Sequence, residues 1–277
     1  MDTLTQLTRK IDVIPTLPQV YYTVSSLLEN PKVSASDIST AISRDPVITA
    51  RILKIVNSAF YGLPRQVSTL THALVLLGFH TVRSLVMAMG LSEVFPKTTK
   101  SVFPRDAFWT HCFAAGTVAR NIARRLDYPK GEEIFIQGLL HDVGKIILDC
   151  YMQEEFTRAI GLARERNILL LDAEREVFGF THADVGELVT HHWNLPDTIS
   201  RAIGMHHRPA EAGDMKTAAS ILHLADIVCR ARLLGDGGDA QIPALDPEAW
   251  QTLHLDWKTL DAIMGEADGL KDCGAFF

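Results

Sequence analysis

The sequence predicts an all-α protein made of two helical lobes. Three observations carry that prediction. Apolar residues recur at spacings of three and four along most of the chain. Capping residues, prolines and glycines punctuate these stretches where helices should start and stop. No stretch shows the strict alternation of a half-buried strand. At 277 residues with 47% apolar and 22% charged content, the chain has the composition of a folded protein and the length of one large domain or two that share a face. The segment 96–105, PKTTKSVFPR, breaks the periodicity, which places the lobes at 1–100 and 101–277.

In the first lobe, Pro18 opens a helix carrying Val20, Val24, Leu27 and Leu28, and Asn30-Pro31 stops it. Ser34 with Asp37 three residues on forms a capping-box signature for the next helix. Asp45-Pro46 is an N-cap followed by a first-turn proline, opening a helix with Ile48, Ile52, Leu53, Ile55 and Val56. Ser68 is the expected cap of STLTHALVLLG, and a further helix is expected over about 81–94. In the second lobe, helices are expected over Asp106–Leu126, Glu132–Tyr151, Glu154–Asn167, Asp172–Phe178, Ala183–Trp193, Pro196–His206 and Lys216–Leu234. The segment 235–247 reads as a Gly-rich loop, and Gly235–Gly238 within it, acidic and lacking the Lys-Ser/Thr of a P-loop, as flexible. Two short helices near Pro247–Leu253 and Lys258–Ala267 precede a loose tail.

The charge balance of 27 basic and 33 acidic residues, a net −6, argues against general nucleic-acid binding. No apolar run reaches the ~18–20 residues of a membrane helix, and the N-terminal MDTLTQLTRK has no signal-peptide core. A cytoplasmic protein without a membrane partner is expected. Cys112, Cys150, Cys229 and Cys273 are scattered, which fits reduced thiols.

The chain has 11 histidines. In GLLHDVGKIIL, His141 and Asp142 stand side by side within an apolar helical segment. Burying such a pair costs several kcal/mol without partners. His111, His182, His206, His207 and Asp226 lie at helix-sized intervals around it, the last on an otherwise apolar helix face. Five imidazoles and two carboxylates suffice for two divalent ions if Asp142 bridges, and this donor set suits Fe, Mn, Ni, Co or Zn. His72, His80, His191, His192 and His254 read as surface or packing residues. His223, three residues before Asp226, is placed outside the ligand set. Asn57, Ser58, Phe60 and Tyr61 form a polar-aromatic cluster at a helix end, read as capping and packing with a protein-docking surface as the alternative.

The motif GLLHDVGK with its upstream His and the downstream LAD resembles the HD metal-dependent phosphohydrolase superfamily. IPTLPQV, DPVITARILKIVNSAFYG and HALVLLGF resemble the HDOD family, the HD-related output domains of bacterial signalling proteins, over roughly residues 7–230. That resemblance implies an all-α fold and a signalling protein partner. The ligand spacing is also similar to that of HD-GYP cyclic-dinucleotide phosphodiesterases. By that resemblance the seven His and Asp positions are metal ligands, and Lys145 contacts substrate phosphate or the bridging water. The segment HHRPAEAGDM departs from the HD-GYP pattern, with Arg208-Pro209 after the His pair and no GYP triplet. If the centre is catalytic, Asp142 and Lys145 are the working residues, and Arg208 is a candidate second phosphate donor. The expected function is an output or scaffold module with a dinuclear metal site. The alternative is a metal-dependent phosphohydrolase acting on a nucleotide or cyclic nucleotide, which would make a nucleotide the ligand.

Overall fold

The computed structural model describes residues 14–58, 63, 65–95, 101, 104–239 and 241–271. Phe60, Tyr61 and the end of the tail lie outside them, as does most of the expected break at 96–105. The described residues are helical and contain no strand. Contacts divide the chain into two compact units, one chiefly Pro15–Phe95 and the other chiefly Pro96–Lys271.

The first unit contains α1 (Gln19–Leu28), α2 (Ala35–Ile42), α3 (Pro46–Val56), α4 (Leu70–Leu77) and α5 (Phe79–Val94). Ser34 and Asp37 make the reciprocal capping box, and Asp45 caps α3 by accepting from the Val47 and Ile48 amides. The cap of α4 is Thr69 in place of the expected Ser68, because the Thr69 hydroxyl is the one that accepts from the His72 amide. No single helix is long and apolar enough to cross a membrane, although α4 and α5 pass that test together with a 112° bend between them. Much of α5 is buried within the protein. Asn57 serves as a clamp, donating to the carbonyls of Leu53 and Val67 at 2.8 Å each and accepting from the Val67 amide at 2.7 Å.

The second unit contains α6 (Arg105–Arg125), α7 (Gly131–Leu140), α8 (Val143–Tyr151), α9 (Gln153–Arg166), α10 (Leu170–Phe178), α11 (His182–His192), α12 (Asp197–Met205), α13 (Lys216–Ala231), α14 (Pro247–Leu253) and α15 (Trp257–Asp268). Helix α6 is buried along most of its length and packs against α7 and α13. Helices α8, α11 and α12 close the other side.

One difference from the sequence expectation decides the geometry of the centre. The expected continuous helix over Glu132–Tyr151 is two helices, broken at His141-Asp142. Periodicity could not show the break, because the apolar pattern runs through it. Adjacent side chains on a helix diverge by about 100°. The break frees both from that constraint. Gly144, just beyond it, lies against α11 so closely that a Cβ would stand 2.0 Å from the His182 carbonyl oxygen. A glycine there lets the start of α8 meet the start of α11, bringing Asp142 to His182.

A candidate metal centre

His111 comes from α6, His141 and Asp142 from the α7–α8 break, His182 from the first position of α11, His206 from the end of α12 and Asp226 from α13. They form two groups with ligand atoms within 4.8 Å of one another: Asp142, His182, His206 and His207, and then His111, His141 and Asp226. All are buried except His207, which is partly exposed. Asp142 faces both groups. Its Oδ1 lies 3.2 Å from His182 Nε2, while its Oδ2 lies 3.4 Å from His141 Nε2 and 3.7 Å from His111 Nε2. Asp226 Oδ1 stands 3.1 Å from His111 Nε2 and 3.7 Å from His141 Nε2.

The imidazoles are oriented from behind. His141 Nδ1 donates to the Gly138 carbonyl at 2.8 Å, His206 Nδ1 to the Ile203 carbonyl at 2.6 Å, and His182 Nδ1 to Glu174 Oε2 at 2.7 Å. Each bond uses the Nδ1 proton and turns the Nε2 edge inward, as metal-ligating histidines require. The Nε2 atoms of His111, His141 and His206 and the Oδ1 of Asp142 are buried with no hydrogen-bond partner. Buried polar atoms left without partners in this way are costly in a protein interior. Their grouping into two clusters of nitrogen and oxygen donors fits divalent transition-metal ions.

The electrostatics agree. Burial opposes charge on His141, but the carboxylates of Asp142 and Asp226 more than offset it and hold the ring up at about 10. Burial likewise opposes charge on His182, and Glu174 with Asp142 lifts it to about 9 against Lys145. His206 moves well down, first through burial and then through its charged imidazole neighbours. Despite desolvation, the adjacent cations keep the Asp142 and Asp226 carboxyls well below the usual range.

Three residues that sequence reasoning missed complete the centre. Glu174 on α10 is fully buried and accepts from both the amide and Nδ1 of His182. Its signal was present, since Leu170, Ala173, Glu174 and Phe178 share one helix face and an acid among them asks for a partner. Arg230 donates through Nε to Asp226 Oδ1 at 2.8 Å, one turn along α13. Asp239 lies 3.1 Å from the Arg230 guanidinium and accepts from Lys145 Nζ. That last contact corrects the reading of the Gly-rich segment as a flexible loop. Gly235 has φ +72° and sits where a Cβ would be 2.3 Å from the Ala107 carbonyl and the His111 amide. The Asp236 amide donates to the Ala107 carbonyl at 2.9 Å, and Gly237 accepts from Lys145 at 3.0 Å.

The two candidate phosphate donors are placed differently. Lys145 is fully buried and donates to Asp142 Oδ2 at 2.8 Å as well as to Gly237 and Asp239. Arg208 makes ion pairs with Asp184 at 3.2 Å and Glu211 at 3.6 Å. The Pro209–Glu211 turn that follows brings Glu211 toward Arg208. His223 donates to the His206 carbonyl and accepts from the Asp246 amide, so both ring nitrogens are used in supporting the fold.

Two cavities adjoin the centre. One of about 270 Å³ is lined by His207, His223, Arg230 and Asp239 with apolar walls from Leu169 and Leu171. The other, about 390 Å³, is lined by His111, Arg230, Gly237 and Asp239.

A relative from Treponema pallidum (strain Nichols), itself uncharacterised, is 29% identical over 238 residues, covering 84% of this chain and 45% of the relative. The chain therefore spans less than half the length of that relative. An HDOD domain protein of unknown function from Geobacter sulfurreducens superposes with a TM-score of 0.80 at 25% identity, covering 97% of this chain and 99% of that one. A proposed phosphohydrolase from Shewanella amazonensis SB2B gives a TM-score of 0.77 at 24% identity, with 98% and 97% covered. A proposed signal transduction protein from Marinobacter aquaeolei VT8 gives 0.74 at 22%, with 95% and 59% covered. The last two likenesses are of fold alone. The sequence model of the HDOD domain matches residues 14–209, and with that span and the helical fold the chain belongs to the HDOD domain family.

Proposed function

We propose that this chain is a signalling output module whose second unit holds two divalent metal ions in the His/Asp centre and whose task is to engage a signalling protein partner in the cytoplasm. The observation that carries the metal reading is that His141 and His206 are tied through Nδ1 and left with buried, unpartnered Nε2 atoms, beside the equally unpartnered Nε2 of His111. His111, His141 and Asp226 would hold one ion, and His182, His206 and His207 the other, with Asp142 between them. When bound, such ions supply Lewis-acid polarisation of a phosphoryl group. The chain's own residues orient the ligands, exclude water from most of the centre and present Lys145 and Arg230 beside it. Lys145 is spent on three acceptors, which favours a module over a catalyst.

The cavities that reach His207 and His111 favour a second reading, phosphoester hydrolysis on a nucleotide or cyclic nucleotide. Elemental analysis of protein purified under low oxygen without a metal-affinity column tests the first claim. About two ions per chain are expected, and near-zero metal after reconstitution with Fe, Mn, Ni, Co or Zn overturns it. The loaded protein should not turn over phosphomonoesters or phosphodiesters. Turnover that disappears in the His141→Ala, Asp142→Ala double variant would replace the module reading with the enzymatic one.

A further inference from the structure

Lys145 and Arg230 form a pair of buried cations at the edge of the centre, with side chains 0% and 8% exposed. Burying either charge without an anion costs several kcal/mol. Asp142 and Asp226 each satisfy one of them, but both belong to the candidate ligand groups. Asp239 belongs to neither group and touches both cations. It arrives on the Gly235–Asp239 loop, whose Gly237 lies so near Asp142 and His111 that a Cβ would be 3.1 Å from Asp142 Oδ2. If Asp142 and Asp226 served metal ions, the two cations would be left with a single carboxylate between them. The fit of that carboxylate is incomplete. Asp239 Oδ2 is 3.1 Å from an Arg230 Nη2 that makes no aligned hydrogen bond. A phosphoryl group carries more charge and three oxygens, so it can serve the ammonium and the guanidinium fork together.

The position of Asp239 adds a second argument. Asp239 and Arg230 line both cavities, the one that reaches His207 and the one that reaches His111. Their ion pair thus borders both cavities. Moving Asp239 aside would take the one carboxylate shared by both cations from the cavity lining. We propose that the Lys145–Arg230 pair is a phosphoryl-binding site which the chain's own Asp239 occupies as an internal competitor, and that a small phosphorylated ligand binds by displacing Asp239 and its loop. The Leu169 and Leu171 walls would take the ligand's less polar part. This rests on the proposed centre in its location, though the cation pair belongs to the chain whether or not ions are bound.

The test uses inorganic phosphate as probe, titrated into the full chain in metal-free and metal-loaded form. Asp239→Asn is expected to bind phosphate at least tenfold more tightly than the wild type in both forms. Asp239→Glu, which keeps the charge, should not show the gain, and adding Arg230→Gln to Asp239→Asn should abolish it. A folded Asp239→Asn protein with wild-type phosphate affinity overturns the proposal. Hydrogen exchange on the wild type gives a readout independent of any variant. Saturating phosphate should speed exchange of the 236–239 amides, and unchanged exchange with phosphate bound overturns displacement. Metal content of the same samples keeps the two claims apart. A phosphate gain without metal supports the anion site and removes the metal reading. Full metal without a gain does the reverse.

Discussion

Metal uptake by this centre should release protons, and the number follows from the structure. His141 is held up at about 10 and His182 at about 9, so both rings carry a proton at pH 7.5 in the metal-free protein. Each already gives its Nδ1 proton to a fixed acceptor, Gly138 or Glu174, so the proton that must leave is the one on Nε2. Ligation needs that lone pair. Asp142 and Asp226 are already ionised, and His206 is already neutral, so they release nothing. Filling both groups should therefore displace about two protons from the His141–His182 pair. The product of the two binding constants should then rise about 100-fold from pH 7 to pH 8, because each released proton contributes a factor of ten per pH unit. Calorimetric titration in buffers of differing ionisation enthalpy measures the count directly. An observed enthalpy that does not change with the buffer would refute the protonated pair and with it the ligand geometry.

Without metal, stability should fall as pH rises from about 6.5 through 9–10. A raised imidazole pKa stabilises the fold below its unfolded value and loses that contribution through the folded one. Thermal unfolding across that range, with chelator present, checks the direction. Gly144→Ala places a methyl against the His182 carbonyl, forces α8 from α11, and should cost about 2 kcal/mol or more together with most of the bound metal. Denaturant midpoints and elemental analysis read both. Arg208→Gln should leave metal content unchanged and shift stability by less than about 1 kcal/mol, because its ion pairs are partly exposed. Metal loss in that variant would return Arg208 to the centre.

The clustering residues were legible as candidates because a His or Asp within an apolar helical pattern is visible without coordinates. The helix ends of the first unit were legible for a similar reason, since Ser34 and Asp45 act within a few residues of themselves. The break at His141-Asp142 was not legible. Its cause is a helix about forty residues away that needs Gly144 bare, and no periodicity encodes that approach. The loop at 235–239 misled for a related reason. Its glycines signal freedom when read alone, yet they are there because the backbone must pass within van der Waals distance of His111 and Asp142.

Glu174 shows how far the supporting shell determines the centre. Its Oε2 takes two hydrogen bonds from His182, at 2.9 Å from the amide and 2.7 Å from Nδ1. The amide bond fixes the start of α11, and the ring bond fixes the tautomer. Glu174→Ala removes both acceptors from a fully buried site, and bonds to a charged group are worth about 1.5–3 kcal/mol each. Glu174→Gln can keep both bonds through its carbonyl oxygen but loses the charge that raises His182. The two variants should therefore separate. Alanine should weaken metal binding by about 10–100-fold and lower stability. Glutamine should keep most of the stability and reduce the proton release on metal uptake toward about one. Chelator competition and the calorimetric count measure these. If alanine held metal as tightly as the wild type, the ring bond would not be what aims His182, and the tethering argument for the whole centre would fail with it.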